Sequence, residues 1–393
     1  MGFVDDLNGI AKCGQESLDL NTFLNTQIEL KRLRFHVPDK NGKTKCHKLH
    51  IGKSHKHCPE LKVHGKLMPE VSEETYLGDI LSNDGKNTKN IEHRISKGIG
   101  IINNIFNLLE NIIFGNHYFE IALLLRESML INGTLTNAEI WYNLSESDIK
   151  KFEYLDRLFF RRLFNVPETT PREAFYLEMG VVPINILLKG RRVKYLHNIL
   201  KQNKNSMLYT VFITQWHNPC KGDWTEQVKI DLEDLNIPCS FKFIESKSKE
   251  VFKKIVKAKT KELSLSCLKV MQQKHSKLNQ IHYSELKLQQ YFTDPNITVY
   301  QKQMLFRCSI RMERFGENFR GANKQVFCNL CFAHLDSLEM SFRCKEIRKK
   351  VNVVGNPSDI FEDSINKETI QTISKILIAR EQAIEDKKKM NKC

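Results

Sequence analysis

The spacing of hydrophobic positions changes character along the chain. Over residues 1–82 short apolar stretches alternate with turn formers at Pro38, Asn41-Gly42, Gly65, Pro69 and Gly78. Asn-Gly supplies the positive φ angles of tight hairpin turns, and Gly and Pro end regular elements, so this part reads as hairpin-rich β-structure. From Asn90 onward the period is helical. Ile91, Ile95, Ile99, Ile102, Ile105, Phe106 and Leu109 make one stripe, with Glu92, Arg94 and Lys97 expected outside it. Further helices are expected over 117–130, 146–165, 171–179 and 183–203, separated by Pro167, Pro171 and Pro183. Loop signals around Trp216, Pro219, Gly222 and Pro238 place a boundary in 204–240. A basic amphipathic helix follows between Lys242 and Lys277, where 11 Lys stand against three Glu and Phe252, Ile255, Val256 and Leu263 form the apolar face. The tail beyond Pro357, ending in a run of charges, reads as a frayed helix.

Charge narrows the class of partner. Across 393 residues, 61 Lys plus Arg outweigh 46 Asp plus Glu for a net charge of +15, a surplus suited to phosphate backbones. No run approaches the ~18 consecutive apolar residues of a spanning helix, and no basic stretch followed by an apolar one opens the chain. The expectation is no membrane partner and a cytoplasmic or nuclear location. The 11 cysteines are read as reduced thiols with room for one metal site.

Candidate chemistry starts at Asp5 and Asp6, two like charges in the apolar string Met1-Gly2-Phe3-Val4-Asp5-Asp6-Leu7. Such a pair repels and loses hydration unless a cation resolves it, and paired carboxylates suit Mg²⁺. A Lys-rich turn over 39–46 carries Lys43 and Lys45, and Tyr76-Leu77-Gly78 stands just beyond. In this order the three stretches resemble the palm of a non-LTR (LINE-type) retrotransposon reverse transcriptase, from its aromatic-x-Asp-Asp motif onward. The resemblance implies an RNA-directed DNA polymerase working by two-metal nucleotidyl transfer. Asp5 and Asp6 would hold Mg²⁺, Lys43 or Lys45 would neutralise the departing pyrophosphate, and Tyr76, Leu77 and Gly78 would grip the primer. Its partners would be an RNA template, a DNA primer and dNTPs. Only four residues precede Asp5, whereas the family carries a further catalytic carboxylate and the fingers upstream. The expectation is therefore a fragment inactive by itself, with a non-catalytic nucleic-acid-binding protein derived from such an element as the alternative.

Residues 171–192 resemble the family's thumb. Phe159, Phe160, Phe164 and Tyr176 are read as core, since aromatics at helical spacing usually face inward. Arg157, Arg161, Arg162, Arg191 and Arg192 are candidate phosphate contacts, joined by Arg307, Arg311 and Arg314 on an expected basic helix. Cys328-x-x-Cys331 followed by His334 and Cys344 has the spacing of a zinc knuckle, because two thiolates chelate from one turn and distant ligands close the site. The family places His where this chain has Met340, so His334 is the stand-in fourth ligand. The fold expected is α+β: palm β-hairpins over 1–82, a helical thumb-like domain over 83–203, loop and basic helix over 204–300, a Cys-rich knuckle region over 301–352 and a helical tail over 353–393.

Overall fold

The protein is described as a computed structural model covering residues 2–3, 6–7, 10–11, 14–30, 46–51, 59–111, 117–275, 278, 283–313, 315–319, 326–328, 330–361 and 367–390. It is mostly helical with a few short strands and divides into two compact units, 1–96 and 97–393.

The first unit holds the strands as four separate two-stranded pairs among the described residues. β1 (Gly2–Phe3) runs antiparallel to β2 (Asp6–Leu7), and helix α1 (Gly14–Leu30) follows. β3 (Lys48–Leu49) pairs in parallel with β6 (Glu70–Val71), and β4 (Lys62–Val63) pairs with β5 (Lys66–Leu67). The longest hairpin joins β7 (Glu73–Tyr76) to β8 (Asp79–Ser82) through Leu77 at φ 48° and Gly78 at φ 83°. Positive φ at both central positions suits the right-handed strand twist, and only the glycine takes it without strain. Behind this turn the buried Asp79 carboxylate accepts from Asn90 Nδ2 and Arg94 Nη2, each at 2.9 Å. Both donors lie on helix α2 (Thr88–Asn111). Arg94 is therefore buried, not on the outer face, while Ile99 is exposed. The stripe shifts because the Asp79 carboxylate gives the Arg94 guanidinium an ion-pair partner inside.

In the second unit the later part of α2 is joined by α3 (Tyr118–Leu125), a π-turn over Arg126–Ile131 and α4 (Asn132–Thr134). Then come α5 (Glu146–Phe164), α6 (Arg172–Met179) and α7 (Ile184–Leu200). These bounds follow the sequence signals closely. A Ser145/Asp148 capping box opens α5, and Pro171 and Pro183 start α6 and α7. Gly180 closes α6 at φ 64°, where an added Cβ would collide with the backbone of Lys287 and Leu288. Phe159, Phe160, Phe164 and Tyr176 are buried, as the spacing predicts, and Phe164 stacks on Phe306 with ring centroids 3.8 Å apart. At the centre, Arg126 on the π-turn donates twice at 2.7 Å to the fully buried Asp156.

The loop expected over 204–240 is corrected to two helices, α8 (Met207–His217) and α9 (Trp224–Asp234). Ser206 and Asp223 cap them, and Phe212, Val228 and Leu232 pack with Val193 and Leu196 of α7. Pro219 and Gly222 only punctuate between them. The basic region is α10 (Phe241–Glu245) and α11 (Lys249–Gln272), with Phe252 and Val256 in the same core. Next are α12 (Val299–Ser309) and α13 (Gly316–Phe319), then α14 (Leu338–Arg343) and α15 (Lys345–Arg348). The tail is no frayed end. α16 (Lys367–Met390) buries Ile370, Ile373, Ile376 and Leu377 against α12 and the cysteine region. No helix among the described residues is long and apolar enough to cross a membrane.

Candidate functional site

The cysteine region is built on a short hairpin. Phe327 bridges Leu335 in antiparallel fashion, Asp336 N–H donates to the Val326 carbonyl at 2.8 Å, and Cys328 N–H donates to the His334 carbonyl at 2.7 Å. Between these rungs the chain turns tightly. Phe332 N–H donates to the Cys328 carbonyl at 3.0 Å, with Phe332 itself in the left-handed region at φ 55°. Burial opposes the Cys331 thiolate, but the N–H groups of Ala333 and His334 at this turn, together with Cys344 and Cys328, outweigh it and hold the thiol below the usual range. Cys344 arrives from the far side, between α14 and α15. Burial is the main cause that pushes its thiol up to about 11.

The three sulfurs of Cys328, Cys331 and Cys344 lie within 4.8 Å of one another. Four sulfurs at about 2.3 Å from a tetrahedral Zn²⁺ stand roughly 3.8 Å apart, so the cluster has the dimensions of a metal site. It could hold a metal ion. The His334 imidazole lies outside this group, and its backbone serves the turn. Among the described residues no other His, Cys, Asp or Glu joins the three thiols. Met340 sits half-buried on α14, with its N–H donated to Ser337 Oγ.

What surrounds the cluster anchors it. The buried Asp336 carboxylate accepts from Gly316 N–H at 2.7 Å and pairs with Arg380 of α16. Arg380 in turn lies over the Phe315 ring at 4.5 Å. Cys328 and Cys344 are buried beside Phe342, Ile347 and Ile373.

The other sequence candidates fare unequally. Asp5, Lys43, Lys45 and Arg314 lie outside the described residues. Asp6 stands in β2 opposite Phe3. Tyr76, Leu77 and Gly78 form the exposed end of the β7–β8 hairpin, with Tyr76 half-buried. Arg192 is corrected from phosphate contact to core: only 5% exposed, it donates to Asp231 at 2.5 and 3.0 Å. Arg307 is tied to Glu313 at 2.7 Å and to the Phe164 carbonyl. Arg311 is not on a helix. It follows α12 at φ 51° and lines a cavity of about 130 Å³ with Phe315, Asn318 and Asn356. Arg161 and Arg162 make ion pairs with Glu168 and Glu110. Arg157 lies 6.0 Å over Tyr154 with no carboxylate within ion-pair distance among the described residues, and Arg191 donates to the Leu135 carbonyl and Asn132 Oδ1.

No protein-family model matches the chain, and neither a curated protein nor a solved structure matches it.

Proposed function

We propose that this chain is a nucleic-acid-binding region of the non-LTR retrotransposon reverse transcriptase type, with the helices of residues 97–203 serving as thumb and the cysteine knuckle holding zinc. The observation that carries this reading is the convergence of Cys328, Cys331 and Cys344 on one metal-sized space beside a helical unit. The chain's net charge of +15 supports the polyanionic partner. Zinc fits the donor set, because three thiolates are soft ligands and two of them leave one tight turn with N–H groups already aimed at a sulfur. A fourth position would be left to water or an added ligand. The polymerase chemistry implied by the resemblance assigns Mg²⁺ to Asp5 and Asp6.

The test is metal analysis of the purified full chain together with fluorescence anisotropy on an RNA–DNA primer-template. About one zinc per chain is expected, lost in Cys331→Ser, with nanomolar-to-micromolar binding that weakens as salt rises. A chain that does not bind at low salt would falsify the nucleic-acid reading, and one without metal the zinc assignment. Incorporation of dNTPs that is abolished in Asp5→Ala/Asp6→Ala would establish the polymerase; its absence beside intact binding favours the non-catalytic alternative.

A further inference from the structure

Five arginines of the second unit are matched to carboxylates: Arg126 to Asp156, Arg172 to Glu153, Arg192 to Asp231, Arg307 to Glu313 and Arg380 to Asp336. One seam breaks the pattern. Helices α7 and α11 lie side by side in opposite directions: Gly190 faces Val256 and Thr260, whereas His197, two turns further along α7, stacks on Phe252 with centroids 4.8 Å apart. Gly190 is required for this approach, since its Cβ would stand 2.8 Å from Thr260 Cγ2. Along the join, Arg191 and Lys194 follow the contact residues of α7, and Lys253 and Lys257 follow those of α11.

Spacings of three and four residues put each pair on one helix flank, so the four cations border the same seam. No carboxylate lies within ion-pair distance of any of the four among the described residues. Arg191 is fixed by neutral groups, donating to the Leu135 carbonyl at 2.7 Å and to Asn132 Oδ1 at 2.9 Å. Glu139 and Glu127 act on it only at longer range, outside ion-pair distance. Lys194 is half-buried; desolvation chiefly, then Arg191, Lys253 and Lys257, hold its ammonium below the usual lysine range. Glu127 opposes them, with an effect smaller than those of Arg191 and Lys253. Lys253 and Lys257 are exposed. Four like charges held together by rigid helices oppose folding, and an anion placed between them relieves that repulsion.

We propose that the α7–α11 seam, formed by Arg191, Lys194, Lys253 and Lys257, binds the phosphate backbone of a polynucleotide. The proposal rests on the nucleic-acid reading above and adds the contact surface to it. Phosphodiesters fit because the seam offers point charges and a fixed guanidinium fork. Contact there is positioning, not sequence-reading. Lys194 is legible in the sequence only as one residue of a helix; its partners come from a helix some sixty residues on.

The test is the salt dependence of binding to a mixed-sequence RNA–DNA duplex, measured by anisotropy on the full chain. Each lysine that meets a phosphate contributes roughly 0.7 to 0.9 to the log–log slope. Lys194→Gln/Lys253→Gln/Lys257→Gln is therefore expected to lower the slope by about 2 to 3 and to weaken binding roughly 100-fold at 0.1 M salt. A control of equal charge, Lys204→Gln/Lys221→Gln/Lys242→Gln, changes exposed lysines elsewhere and is expected to lower the slope by less than about 1. Should the triple variant fold poorly, Lys253→Gln/Lys257→Gln alters exposed positions alone and is expected to lower the slope by about 1.5. If the parent binds and the seam variants keep its slope, or lose no more than the control, the seam is overturned while the nucleic-acid reading stands. If the parent does not bind at low salt, both fall.

Discussion

Replacing Arg192 with Met leaves the Asp231 carboxylate in the core with its main partner gone. In the parent, Arg192 Nε and Nη2 donate to the two oxygens of Asp231 at 2.5 and 3.0 Å, and Nη1 reaches the Trp141 carbonyl at 3.4 Å. Asp231 is 0% exposed. Lys189 Nζ stands 3.6 Å away but is committed to Asp234 at 2.5 Å, so it cannot fully compensate. Removing one partner of a buried pair costs about 3 to 5 kcal/mol, most of it the penalty of the stranded charge. In a unit of this size that corresponds to a fall in Tm on the order of 10 °C. The double variant Arg192→Met/Asp231→Leu removes both charges and replaces them with apolar volume. It is expected to recover all but about 1 kcal/mol. Urea titration followed by tryptophan fluorescence reads both, since Trp216 and Trp224 flank the same cluster. The nucleic-acid salt slope should not move in the double variant. Near-parental stability in Arg192→Met, with a slope reduced by about 1, would refute the reasoning and return Arg192 to the phosphate contacts.

Two further outcomes follow from the same geometry. The Glu178 carboxyl is buried and accepts from Tyr283 and Tyr291 at 2.8 Å each and from Ser309 at 3.2 Å; burial, the largest cause, raises it above the ordinary carboxylate range. A raised acid holds its proton longer in the folded chain, so its stabilisation is full below the unfolded value near ~4.3 and is lost as pH rises through the folded value. Thermal melts between acid and neutral pH should show the parent losing Tm relative to Glu178→Gln across that window; parallel curves would refute it. At the β7–β8 turn, Leu77→Gly should raise stability, because a leucine at φ 48° carries strain of about 1 kcal/mol and its side chain is largely exposed. A calorimetric Tm that falls in this variant would show that the leucine side chain makes a contact of greater worth.

Helix identity was legible where a strong local signal stood alone. The Ser145 cap, Pro171, Pro183 and Gly180 mark helix ends by steric and hydrogen-bonding rules that act within one turn, and the aromatic spacing of α5 named its own core face. The same local rules misled where tertiary packing outweighed them. Residues 204–240 looked like loop because Pro and Gly are conspicuous, yet α8 and α9 form since Phe212, Val228 and Leu232 have a shared core to enter. Arg94 and Arg192 looked like surface because arginine is seldom buried, and both turned inward because Asp79 and Asp231, distant in sequence or on another element, were there to meet them.

The cysteine spacing by itself determined that Cys328 and Cys331 share a turn, because a two-residue separation leaves them little else to do. Cys344 also stood in the spacing read as a knuckle, but only the tertiary structure brought its sulfur to the other two with the His334 imidazole outside the group, and set Lys194 among cations from α11. Local chemistry is written in neighbouring residues, whereas charges are paired or left unpaired by segments that meet only when the chain has folded.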